Sequence, residues 1–207
     1  MQFLVIHCNW FFASVDPENE RDYFPAEFAV AQYSIENGIG NLYHEIINAK
    51  IPLGYGFEAQ QATRNYHKIP AEFEEGEQNF RIMYQRLENF LSPLTKAGKF
   101  PPFFTSRYNT GAVRSLLNRM CDSLADVSSD LTDKSRDTFL VYYFEELFAV
   151  IYNTLSPRND SHPIHRTVTD NIIEKDIYCY SKDLACKVRV FEKESEISRK
   201  LFSRKTL

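Results

Sequence analysis

The sequence predicts an α/β domain built on a mixed five-stranded sheet with helices on both faces. One observation is that three strand-like apolar runs follow one another early with short connections, which favours a three-strand antiparallel meander. Another is that helix-period and strand-like segments alternate after residue 79, the pattern of an α/β architecture. With 207 residues, 43% of them hydrophobic and 14% aromatic, the chain is long enough to bury a proper core as one domain.

Residues 3–12 form an apolar run that reads as a buried first strand, ended by the turn signal Asp16-Pro17-Glu18-Asn19. Residues 24–34 make a second strand, with Phe28, Val30 and Gln32 on one face and Glu27, Ala29, Ala31 and Tyr33 on the other. Glu36-Asn37-Gly38 closes a hairpin onto a third strand at 42–48. Gly54 and Gly56 then mark an irregular connection, and without a following Lys-Ser/Thr they do not make a phosphate loop. Ile82, Met83, Leu87, Phe90, Leu91 and Leu94 recur at helical spacing over 80–94, and Val113, Leu116, Leu117, Met120 and Leu124 do so over 110–124. Short strands are expected at 101–105 and 138–143, and a third helix at 145–155. Residues 156–161 are the clearest break. Beyond them, 170–189 reads as helical in part, and 191–207 as a charged tail after a domain over 1–190.

A net charge of −4 excludes a whole-chain basic field for nucleic acid, so any such contact must be local. Four cysteines without regular spacing do not form a disulfide framework and point to a reducing compartment. The apolar start at 1–6 lacks the cationic flank and length of a signal peptide, and no run approaches membrane-spanning length. A soluble, intracellular protein is therefore expected.

Glu27 stands between Ala26 and Phe28 in an apolar strand, where a carboxylate is costly without a partner. The plain alternative is a surface Glu on an edge strand. His44 and His67 read either as hydrogen-bonded structural histidines or as acid-base groups, and no nucleophile or paired carboxylate accompanies them. Cys8, followed by Asn9 on a strand, reads as core. His162, His165, Cys179 and Cys186 form a late polar cluster, with solvated imidazoles and buried thiols as the bland reading.

Phe24-Pro25-Ala26-Glu27-Phe28, Tyr43-His44 with Ile47-Asn48, Ile51-Pro52-Leu53-Gly54-Tyr55 and His67-Lys68-Ile69-Pro70 resemble the Maelstrom domain of the piRNA pathway. The resemblance runs from about residue 2 to the region of Cys186 and is weaker after Asp160. It implies a ribonuclease-H-like fold, related to proofreading-type exonucleases, whose strand and helix order the predicted elements follow. In those relatives two carboxylates at the end of the first strand hold Mg²⁺. His7-Cys8-Asn9 stands in that place here, which argues against two-metal exonuclease chemistry.

The resemblance further implies a structural zinc ion. Its ligands would be Glu27, His162, His165 and Cys179, with Cys186 as the alternative thiol and His162 standing where the family has Cys. A Glu/His/His/Cys tetrahedron is chemically reasonable. His44 and His67 match the family's two early histidines. The implied function is germline transposon silencing through binding of single-stranded RNA and piRNA-pathway proteins, with weak metal-independent endoribonuclease activity carried over without assigned residues. The competing reading is a catalytically inactive protein-binding scaffold. The implied location is cytoplasmic, in perinuclear germ granules (nuage), with passage through the nucleus. The chain begins on its first strand, so a DNA-bending HMG box is not expected. Candidate RNA contacts are Arg64, Lys68, Arg81, Arg86 and Arg107, interleaved with Tyr66, Tyr84 and Tyr108, residue types that grip phosphates and stack bases.

Overall fold

The computed structural model describes residues 2–15, 21–70, 73–125, 138–155 and 168–169. A long hairpin dominates it. Strand β1, Gln2–Val15, pairs antiparallel with β2, Arg21–Ser34, and β2 pairs antiparallel with β3, Gly38–Ile46. The short strands β4, Phe103–Thr105, and β5, Val141–Tyr143, add in parallel on the other side of β1. The sheet order is β3-β2-β1-β4-β5. The meander and the five-stranded mixed sheet are thus as the sequence predicts.

Strands β1 and β2 run longer than their apolar cores because the hairpin continues past two register shifts, between Asn9 and Trp10 and between Trp10 and Phe12. Pro25, the residue paired with Trp10, lies at this irregularity. Proline cannot donate to a ladder, so within an interior strand it is tolerated only where the pairing is already broken.

Leu4, Ile6, Cys8, Phe28 and Val30 project to one face and are buried, in the alternation expected of a half-buried sheet. Two helices meet that core. In α2, Phe80–Leu91, the buried residues are Met83, Leu87 and Leu91, one stripe at helical spacing. Its N-cap Asn79 accepts from the amides of Arg81 and Ile82, satisfying two of the orphan donors of the first turn. In α3, Thr110–Ala125, Val113, Leu116, Leu117 and Met120 are buried. The last helix, α4, Phe144–Leu155, follows β5 directly and packs against β4 and β5.

The connection after Pro52 differs from expectation. It holds a helix, α1, Gly56–Ala62, continued by a π-helical turn, Thr63–His67. Only Ala59, Ala62 and His67 of this stretch are buried and no side chain caps α1, so helical periodicity has little to register. Tertiary contact with β1 holds it: Tyr55 stacks on Phe12 at 4.2 Å, and Phe12 on Phe24 at 4.9 Å. Among the described residues no helix is long and apolar enough to cross a membrane.

Candidate functional site: a polar row across the strand ends

In α/β sheets, ligands commonly meet the carboxyl ends of the parallel strands. Here β4 and β5 end in Thr105 and Tyr143, and β1, which pairs with β4 at Leu4 and Val5, runs on past that level to Cys8 and Asn9. On β1, strand β4 pairs with Leu4 and Val5 alone, so the edge of β1 beyond them loses its neighbour while still inside the protein. Asn109 fills the gap. It ends the 3₁₀ turn Arg107–Asn109, is 2% exposed, and bonds both backbone groups of Cys8. The Cys8 amide donates to Asn109 Oδ1 at 2.8 Å, and Asn109 Nδ2 donates to the Cys8 carbonyl at 2.7 Å. A carboxamide carries the donor and acceptor of a peptide group, so it substitutes for the missing strand.

Next along β1, Asn9 Nδ2 donates to Glu27 Oε1 at 2.7 Å, and His44 Nε2 lies 2.9 Å from Glu27 Oε2. Glu27 lies on an interior strand and is 6% exposed, so the surface, edge-strand reading does not hold. His7 Nε2 approaches Asn9 Oδ1 at 3.3 Å. In register, His7 and His44 both pair with Ala29, which sets the two imidazoles on one face of the sheet on either side of a small residue. The Cys8 thiol belongs to the opposite, core face. Burial, and secondarily the charge of Glu27, push it well above the ordinary thiol value, which disfavours the thiolate.

On the other side of the turn, Glu145 at the start of α4 is buried and accepts from the Arg107 amide through Oε1 at 3.0 Å. Its Oε2 is buried without a hydrogen-bond partner among the described residues. The Arg107 guanidinium lies over the Tyr143 ring at 4.6 Å and 3.9 Å from Glu146.

His67 is buried, accepts from the Ile69 amide through Nδ1 at 3.1 Å and meets the Phe11 ring edge-on, a structural placement away from the polar row. Arg86 bridges α2 to the β3 region, with Nη1 2.7 Å from Glu45 and Nη2 3.2 Å from Glu77. Lys68 donates to the Arg64 carbonyl, and Arg64 and Arg81 are exposed. His162, His165, Cys179, Cys186, the break at 156–161, the helix expected within 170–189 and the tail at 191–207 lie outside the described residues. Among the described residues, no three His, Cys, Asp or Glu side chains gather as a metal ion requires. Glu27 by itself suits a hard or borderline cation, being a buried carboxylate with both oxygens oriented by neighbours. The residues that sequence reading left without a role are Asn9, Asn109 and Glu145. The one clue to Asn109 is its place just before a helix, a common position for a side chain that bonds backbone.

The strand order and directions define an α/β domain of the ribonuclease-H-like arrangement. The model of the Maelstrom family, described as a piRNA pathway germ-plasm component, matches residues 18–190, and the chain belongs to that family. It is 27% identical over 170 residues to protein maelstrom of Drosophila sechellia, covering 80% of this chain and 42% of that protein. It is 30% identical over 134 residues to the maelstrom homolog of Sus scrofa, covering 64% of this chain and 30% of that protein. The chain therefore spans less than half the length of either relative. Among solved structures it is similar to cell-death related nuclease 4, with a TM-score of 0.47 and 14% identity over 84% of this chain and 55% of that one. It is also similar to exonuclease I, with a TM-score of 0.44 and 14% identity over 73% of this chain and 30% of that one.

Proposed function

We propose that the chain is a zinc-stabilised, single-stranded-RNA-binding domain that acts in germline transposon silencing within the piRNA pathway, in perinuclear germ granules with passage through the nucleus. The observation that carries the reading is Glu27, a carboxylate held inside the sheet and aimed by Asn9 and His44. With zinc, Glu27 would be one ligand, and His162, His165 and Cys179 or Cys186 would be the others. The ion would tie the late segment to β2 and add directly to folding stability. RNA would be gripped through the exposed Arg64 and Arg81 with Tyr66 and Tyr108, since Arg86 is already held by two carboxylates. Weak metal-independent cleavage of the RNA is part of the proposal without assigned residues.

Elemental analysis of purified protein tests the metal. About one zinc per chain is expected, lost in Glu27→Ala, His165→Ala and one of Cys179→Ala or Cys186→Ala. No zinc in the wild type would overturn that part. Binding of a labelled single-stranded RNA should weaken with salt and in Arg64→Ala with Arg81→Ala. RNA affinity that is absent at low salt would instead favour the scaffold reading. That second reading has its own support in the fully exposed Leu53 with Phe57 at 70% and Tyr66 at 78%, apolar side chains suited to a protein partner.

A further inference from the structure

Hydrogen bonds and short stretches of chain form a polar row that crosses the sheet. It runs from Glu145, at the start of α4 just after β5, to the Arg107 amide after β4, through the turn to Asn109, to Cys8 on β1, and from Asn9 to Glu27 on β2 and His44 on β3. Within this row Asn109 holds Cys8, the neighbour of Asn9, and the first register shift falls directly after Asn9, between it and Trp10. A bulge re-aims the side chains beside it, and its conformation is fixed only as well as its flanks are. Cys8 is held at both backbone groups, and the adjacent Asn9, paired in register with Glu27, donates to the Glu27 carboxylate.

We infer that Asn109 is a positioning residue for the site: it acts through Cys8 and Asn9 to aim the Glu27 carboxylate and the His44 ring, beyond its contribution to stability. The inference rests on the reading of the Glu27 row as the functional site. Only a carboxamide serves at 109. Aspartate keeps the shape but has no donor for the Cys8 carbonyl, and alanine leaves both Cys8 groups unbonded. Thr105 supports Asn109 from β4, its hydroxyl 3.4 Å from Asn109 Oδ1.

The test follows the His44 imidazole carbon-proton signal by NMR at constant pH in histidine-labelled protein. Measurements cover wild type, Asn109→Ala, Asn109→Asp, Asn9→Ala, the Asn9→Ala and Asn109→Ala double variant, and Leu87→Ala, which weakens a remote part of the core. The His44 signal should move in the Asn109 variants in the same direction as in Asn9→Ala, and the double variant should add nothing further. Leu87→Ala should lower Tm without moving it. An unmoved signal in folded Asn109 variants, additive shifts, or an equal shift in Leu87→Ala would overturn the inference. Should the Asn109 variants not fold, Thr105→Val carries the same test, with a smaller shift expected in the same direction and an unmoved signal counting against it. Zinc content measured on the same wild-type sample keeps the two ideas apart: its absence removes the metal reading and leaves the His44 result standing.

Discussion

Glu27 carries a charge into the sheet interior, and the two side chains that receive it decide how that is tolerated. Replacing it with alanine leaves the Asn9 amide and the His44 ring without their shared acceptor in a part-buried place. Hydrogen bonds to charged groups contribute about 1.5–3 kcal/mol, so Glu27→Ala should lower the unfolding free energy by about 2 kcal/mol in urea titrations, and Glu27→Gln by less. Part of this was legible in the sequence. A lone carboxylate between Ala26 and Phe28 asks for a partner whatever the fold, and His44 on the next strand is a candidate from its sequence position. The partners that complete the row were not legible, because Asn109 meets Cys8 from 101 residues away and strand periodicity does not say who sits across a sheet. Pro25 held a further clue: a proline in a run otherwise fit for an interior strand marks a broken ladder, and the break lies beside Glu27.

At the level of elements, strands and long helices were legible because their apolar residues repeat with the period of the structure they form. Met83, Leu87 and Leu91 fall on one stripe of α2, as their spacing requires. Helix α1 was not legible, since it buries small alanines and is held by a ring stack rather than by its own pattern. The junction of β3 with α2 also depends on contacts that no local pattern shows. Gly76 lies so close to the backbone after β3 that an added Cβ would stand 2.6 Å from the Asn48 nitrogen. The flanking Ile47 to Glu77 bridge leaves that backbone little room to yield. Gly76→Ala should therefore cost about 1–3 kcal/mol, read by chemical denaturation, although alanine is ordinarily a mild change. Nearby, Tyr43 donates to Glu45 Oε2 at 2.6 Å while Arg86 takes the other oxygen at 2.7 Å. Arg86 is 48% exposed and water screens it, so Arg86→Ala should cost less than about 1 kcal/mol and lose its effect in high salt. Glu45→Ala should cost more, because it also leaves the half-buried Tyr43 hydroxyl without its acceptor.

For the whole molecule, the groups that burial perturbs most share one sign. Burial pushes the Cys121 thiol from its ordinary 9.0 up to about 11, with Asp122 adding to the rise. It pushes the Tyr84 phenol from 10.0 up to about 12, helped by Glu88 and Cys121. Cys8 and Tyr43 are raised further still, by burial first and then by Glu27 and Glu45 respectively. Each group keeps its proton in the folded chain at a pH where the unfolded chain has released it. The folded state then binds more protons than the unfolded one, and linkage makes stability fall as pH rises. The window opens at the unfolded thiol value near 9.0 and, for Cys121, closes near 11, with the phenols extending the fall. A fully buried thiol such as Cys8 contributes a slope of about 1.4 kcal/mol per pH unit inside the window and none below it. Thermal unfolding should therefore show a Tm that does not respond to these groups from pH 6 to 8 and drops steeply from pH 9 to 11. Cys8→Ala should make that drop shallower while lowering the neutral-pH Tm through the small cavity it leaves. An alkaline drop of the same steepness in Cys8→Ala would mean that the fall comes from Cys121 and the phenols without Cys8, and that the core beneath the Glu27 row admits water more readily than its packing implies.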